Sequence, residues 1–305
     1  MEPFLALVGP TASGKTEAAL QVAEALGAEI LSIDSMLVYR GMDVGTAKPT
    51  AEQRARVPHH LLDLAEPSEA FSVAAFQVAA REAANDVRLR GPRRLLVGGS
   101  GLYFRAVVDD LDFPGTDAGI RGTLEGEASV LGAEPMYRRL AEMDPVAASK
   151  IQPENIRRTV RALEVAAITG KPFSSYAAAW ESYPPDRVRA AGVRLTAEHL
   201  TAKVESRVKA MLVAGWLEEV EKLIAAGFGR WLTATQAIGY AELARHLEHR
   251  LSLEDAVQQT VKRTRKLARR QMAWFRRDPR IRWFDAGEEG ARGVVDDVVA
   301  YLVDA

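Results

Sequence analysis

Five apolar residues, Phe4 to Val8, open the chain and stop at Gly9-Pro10. A short apolar run bounded by turn residues reads as a strand buried on both faces. With no basic start and a glycine turn directly after it, it does not read as a signal peptide. From Glu17 to Leu26 the apolar positions recur at helical spacing, and Gly27 follows as a stop. A second, mostly apolar run from Ile30 to Ile33 ends at Asp34. Residues 72–90 read as another helix with Ser72 as N-cap, and Leu95 to Val97 as a third strand ahead of Gly98-Gly99-Ser100-Gly101. Strand, helix, strand in this order predicts a parallel α/β sheet.

The pattern changes after Asp112. Pro114, Gly115, Gly119, Gly122 and Gly126 interrupt the chain, and helical periodicity then runs from about 134 to 169 with no convincing strand. Gly192 to Leu195 looks like a returning strand, and helical patterns follow at 197–213, 216–226, 239–248 and 253–276. The expected organisation is an α/β core of residues 1–113 and 186–305, with residues 114–185 as a helical insertion and helices dominating the C-terminal part. No internal repeat or low-complexity segment is visible.

Composition adds limits. With 305 residues, 48 % hydrophobic and 27 % charged, the chain has ample material for a packed core. It contains no cysteine, which excludes disulfides and thiolate metal sites and suits a reducing cytoplasm. No apolar stretch reaches the length of a membrane span. The formal net charge is -1, so any surface for nucleic acid must come from uneven distribution of charge.

The most specific local signal is Gly9-Pro10-Thr11-Ala12-Ser13-Gly14-Lys15-Thr16, a full match to G-x-x-x-x-G-K-[ST] between a strand and a helix. Average residue frequencies allow such a match by chance on the order of once in a hundred chains of this length. The glycines turn backbone N–H groups toward an anion and the helix N-terminus adds partial positive charge. Lys15 brings an ammonium, and the Thr16 hydroxyl suits Mg²⁺. The loop indicates a polyphosphate without saying which one, or which bond breaks. Asp34, at the end of the second strand, falls on the edge where open α/β sheets bind ligands. A carboxylate there fits a general base, a metal ligand or a helix cap.

Beyond the loop, Asp34-Ser35-Met36-Leu37-Val38-Tyr39-Arg40-Gly41-Met42-Asp43-Val44-Gly45-Thr46-Ala47-Lys48-Pro49 closely resembles the tRNA dimethylallyltransferase family. The resemblance continues through Pro58-His59-His60-Leu61, Gly98–Tyr103, Arg157–Val165, Gln236–Tyr240 and Arg269–Phe275, in the family's order and over nearly the whole chain. Two positions depart from the usual pattern: Leu37 stands where many relatives carry Gln, and Ser100 where Thr is usual.

This resemblance implies a P-loop NTPase-like core that binds dimethylallyl pyrophosphate instead of ATP, with Mg²⁺ near Thr16 and Ser100. The implied reaction transfers the prenyl group to N6 of the adenosine just 3′ of the anticodon, in tRNAs reading codons that begin with U. It implies Asp34 as general base, and Lys15, Ser100 and Arg207 around the pyrophosphate held by residues 9–16. It implies tRNA contacts at Asp34, Ser35, Met36, Leu37, Ser100, Arg121, the run Arg157-Arg158-Thr159-Val160-Arg161, Gln236, Gly239, Tyr240, Arg269 and Arg270, with the insertion closing on the anticodon stem-loop. A monomer acting in the cytoplasm is expected.

The charge pattern bears on the same point. Lys262, Arg263, Arg265, Lys266, Arg269, Arg270, Arg276, Arg277, Arg280 and Arg282 crowd one region whose single acid is Asp278. Val261, Thr264, Ala268 and Phe275 are spaced to dock such a helix, leaving the cations for phosphates or simply for solvent. His59 and His60 lack partners at metal-ligand spacing. The competing reading is a small-molecule kinase, which shares the P-loop and an inserted helical lid. Two further alternatives are prenylation of free adenine nucleotides and a non-enzymatic RNA-binding NTPase switch.

Overall fold

The computed structural model describes residues 2–109 and 111–303; Met1, Asp110, Asp304 and Ala305 lie outside the described residues. In chain order the first elements are β1 (Phe4–Val8), α1 (Lys15–Leu26), β2 (Ala28–Ser32), α2 (Ala51–Arg56), β3 (His59–His60), α3 (Val73–Arg90), β4 (Arg93–Gly98) and α4 (Gly101–Val108). Helices α5 (Ala118–Leu131), α6 (Ala133–Met143), α7 (Pro145–Ala148), α8 (Ile156–Thr169) and α9 (Ala178–Glu181) follow. The chain continues with β5 (Val188–Arg194), α10 (Ala197–Val213), α11 (Trp216–Ala225), α12 (Tyr240–Leu247), α13 (Leu253–Phe275), β6 (Ile281–Asp285) and α14 (Val295–Val303). Packing divides the chain into one unit of Met1–Asp109 with Pro184–Ala305 and a second of Asp110–Tyr183.

In the first unit the strands form one sheet in the order β3-β2-β4-β1-β5-β6, all parallel. Alternate residues of each strand feed opposite faces. Leu5 and Leu7 of β1 join α1 and α14 residues such as Leu20 and Val298 on one face, and Ala6 and Val8 join Phe76, Phe104, Trp216 and Phe275 on the other. This two-sided burial is why the strands read as short apolar runs instead of alternating ones. It also brings the turns after β1, β2 and β4 to a single carboxyl edge. Among the described residues, no helix is long and apolar enough to cross a membrane.

The second unit is helical. Its core gathers Leu124, Ala128, Met136, Leu140, Val160 and Leu163. Helix α5 corrects the expectation that glycines break the chain before 134. Gly119, Gly122 and Gly126 sit on its exposed side. Each costs roughly 1 kcal/mol against alanine. Burial of Leu124 and Ala128 and the N-cap from Asp117 to the Ile120 N–H offset this, since a buried leucine alone contributes about 2 kcal/mol.

Strands β3 and β6 and helices α4 and α14 were not anticipated. The Ile281–Asp285 strand was hidden in the basic run, because Arg282 points outward while Ile281 and Phe284 are buried.

Candidate functional site

The loop after β1 crosses the N-terminus of α1. Ala12 holds a left-handed φ of 63°, a conformation that costs a non-glycine residue energy and is common where backbone is shaped for a ligand. Lys15 Nζ lies over the loop, donating to the Pro10 carbonyl at 2.5 Å and to Ser13 Oγ at 3.3 Å. Burial, and secondarily the charge of Arg207, push the Lys15 pKa down to about 7, while Asp34 opposes them. Burial also lowers the Arg207 pKa, again against the pull of Asp34. Two partly buried cations therefore face one carboxylate, and the space between them favours a further negative charge.

Asp34 follows β2. Its Oδ1 accepts from the Met36 N–H at 2.9 Å, which fixes the carboxyl group. No partner for Oδ2 exists among the described residues. Arg207, from α10, reaches the Thr46 carbonyl at 3.4 Å. Thr46 belongs to the signature segment, and the fold explains part of that segment's sequence. The Glu219 carboxylate accepts from the N–H groups of Asp43, Val44 and Gly45 at 2.8, 2.7 and 3.1 Å and from the Tyr240 hydroxyl at 2.6 Å. Buried Lys48 ties the other end to the Tyr39 carbonyl and Asp63, at 2.6 and 2.7 Å.

Two cavities meet at this point. The first, of about 120 Å³, is lined by Thr11–Thr16, Asp34, Leu37, Gly99 and Arg207 among others. The second, of about 460 Å³, is lined by Asp34, Ser35, Met36, Gln236, Lys266 and Arg270 among others. They share Thr11, Asp34, Thr46, Arg207 and Gln271, so they form two ends of one passage around Asp34. Ser100 begins α4 beside Gly99, and its side chain makes no capping bond to that helix.

Among the described residues no three His, Asp or Glu side chains cluster to hold a metal. The oxygen donors Thr16 and Asp34 nevertheless share a cavity with the anion loop. That set fits Mg²⁺, which draws most of its ligands from phosphate and water.

Several expected RNA contacts are not available. Tyr240 is fully buried, packed edge-on to Trp216 and bonded to Glu219, and Gly239 is buried against the same indole. Within the insertion, Thr159 and Val160 face its core. Arg121 and Arg161 donate to buried Glu164 at 2.6 and 2.8 Å. Burial alone would raise that carboxyl's pKa, but the two guanidiniums outweigh it and hold it below the usual range. Arg157 and Arg158 are exposed.

In the basic region, Arg263 pairs with Glu242, and Arg280 is buried between Asp109 and Asp278. Arg282 stacks on Phe284 and Tyr301. The outward cations Lys262, Lys266, Arg269 and Arg270 have no carboxylate partner among the described residues.

Gln271, Glu219 and Trp216 line or shape the passage and were not singled out from sequence. Gln271 carried a usable signal: it is a polar residue on the inward face set by Ala268 and Phe275.

A family model described as IPP transferase matches residues 37–278, and one described as Isopentenyl transferase matches residues 3–65. The tRNA dimethylallyltransferase of Nocardioides sp. is 46 % identical over 302 residues, covering 99 % of this chain and 97 % of that protein. The one from Desulforudis audaxviator is 45 % identical over 289 residues, covering 94 % and 93 %. Among solved structures, the full-length tRNA isopentenylpyrophosphate transferase from Bacillus halodurans matches with a TM-score of 0.70 at 36 % identity, covering 100 % of this chain and 98 % of that one.

Proposed function

The chain belongs to the tRNA dimethylallyltransferase family, and from this we propose that, acting in the cytoplasm, it transfers the dimethylallyl group of dimethylallyl pyrophosphate to N6 of the adenosine 3′-adjacent to the anticodon, in tRNAs reading codons that begin with U. Family membership makes it a prenyltransferase acting on tRNA. The donor, the target atom, the monomeric state and the residue roles are the proposal. One observation carries it: the passage has an anion loop with Lys15 and Arg207 at one end, a chamber of about 460 Å³ at the other, and Asp34 at the join.

The chemistry follows from that layout. Adenine N6 attacks C1 of the prenyl group as the C–O bond to pyrophosphate breaks. Loop N–H groups, Lys15 and Arg207 stabilise the departing charge, and Ser100, next in the chain to Gly99 of the donor cavity, is assigned to the same oxygens. Asp34 Oδ2 takes the N6 proton, and the Met36 N–H keeps the carboxyl oriented. Thr16, with Ser100, would hold Mg²⁺, which would neutralise further charge on the leaving group. Ser35, Met36 and Gln236 line the chamber for the extruded base, whose removal from an anticodon loop costs only a few kcal/mol. Leu37 lines the donor end, so it supports the prenyl side of the passage in place of a polar contact to the nucleotide. Arg269 and Arg270, with Arg157 and Arg158 on the insertion, are assigned to RNA phosphates.

The test is direct. The protein is incubated with Mg²⁺, labelled dimethylallyl pyrophosphate and either unmodified tRNA, AMP or ATP. Label in tRNA is expected, and Asp34→Ala should lower turnover at least a hundredfold with tRNA still bound. Label in AMP alone, or ATP consumption without transfer, would replace this reading by nucleotide prenylation or by a kinase.

A further inference from the structure

Gln271 lies on α13 between two exposed arginines' worth of basic surface and the anion loop, and it touches both ends of the passage. Its Oε1 accepts from the Thr11 N–H at 2.8 Å, across 260 residues of sequence. That N–H belongs to the loop itself, so the bond sets the direction in which the following N–H groups point. The contact is built into its surroundings. A Cβ on Gly99 would come within 2.4 Å of Gln271 Nε2, and a Cβ on Gly101 within 2.2 Å of the Trp274 ring one turn further along α13. Both glycines therefore give way so that α13 can lie directly on the turn that carries Ser100. Nothing in the hydrophobic packing of α13 requires an amide at this inward position. An aliphatic side chain of equal length would fill the space but leave the Thr11 N–H without this acceptor.

We propose that Gln271 is a positioning residue for the donor site: its carboxamide locks the anion loop to the helix that carries the RNA-facing cations, so that RNA binding tightens the grip on pyrophosphate. The inference rests on the prenyl-transfer reading for the identity of the donor, though the bond between helix and loop stands apart from it. Loss of one such hydrogen bond corresponds to about a tenfold change in an equilibrium.

The test uses Gln271→Met in the full chain. Its KM for dimethylallyl pyrophosphate should rise about tenfold while the KM for tRNA stays within twofold. Inorganic pyrophosphate, titrated calorimetrically, should bind wild type more tightly when an unmodified anticodon stem-loop RNA is present, and the variant equally with or without it. An unchanged donor KM, equal rises in both KM values, or an RNA effect that is absent from wild type or survives in the variant would each overturn the proposal. If the methionine variant melts early, Gln271→Asn, which withdraws the amide by one methylene, carries the same expectation. A wild type that transfers nothing to tRNA, yet loses pyrophosphate affinity on substitution, would sink the prenyl-transfer reading and leave the loop contact standing.

Discussion

Two clusters of charge, one buried and one partly buried, sit in the same α/β unit and differ in their balance. Arg105 and Arg280 face Asp109 and Asp278, all four almost fully buried, and Arg280 also reaches the Pro184 carbonyl at 3.2 Å. In the other cluster, Lys15 and Arg207 face Asp34 alone. Burial opposes the charge on Arg280, but its two carboxylate partners outweigh that and raise its pKa. Burial wins at Lys15, whose pKa falls to about 7. A matched set of buried charges is complete and serves structure. An unmatched set is a site that an anion completes.

Substitution should separate the two clusters most sharply. Arg280→Met leaves Asp109 and Asp278 buried without their shared partner, so chemical denaturation should show a loss of about 3–5 kcal/mol. Lys15→Met should instead slow prenyl transfer by about two to three orders of magnitude without loss of stability near neutral pH. Comparable destabilisation by both would erase the distinction.

The next effect is on pH. The folded-state pKa of Lys15 is lowered from 10.5 to about 7. Below about 7 both folded and unfolded forms carry the proton, and the cost of the buried charge is fully present. Between about 7 and 10.5 the unfolded chain binds more protons, so this group's contribution to stability improves as pH rises. Donor binding runs the opposite way, because a diphosphate needs the ammonium. Pyrophosphate affinity should therefore weaken above pH 7, with proton uptake visible when calorimetry is repeated in buffers of different ionisation enthalpy. Lys15→Met should remove the uptake; its persistence would assign the proton elsewhere.

The smallest effect extends the same lesson to the surface. Neutralising Arg269 and Arg270 together should reduce the slope of log affinity for tRNA against log salt by about one to two. Arg121→Met, which removes one of the two guanidinium partners of buried Glu164, should cost stability and leave that slope unchanged. The opposite pattern would exchange their roles.

The sequence by itself determined the parts whose physics is local. Short apolar runs ending at Gly9, Asp34 and Gly98 mark strands that cannot extend past their turns, and the Gly9–Thr16 spacing describes an anion loop whatever surrounds it. Helix caps at Ser72 and Gly27 were legible for the same reason, because they satisfy the backbone of their own neighbours. Only the tertiary structure decided which cations are free. The cations of the basic run look alike in sequence, yet Arg280 is consumed by Asp109 and Asp278 while Arg270 opens onto a cavity. It also decided that Tyr240 faces Glu219 and that Gln271 meets Thr11. Several of these pairings join residues far apart in the chain, 171 positions for Arg280 and Asp109 and 260 for Gln271 and Thr11, and no local pattern encodes them.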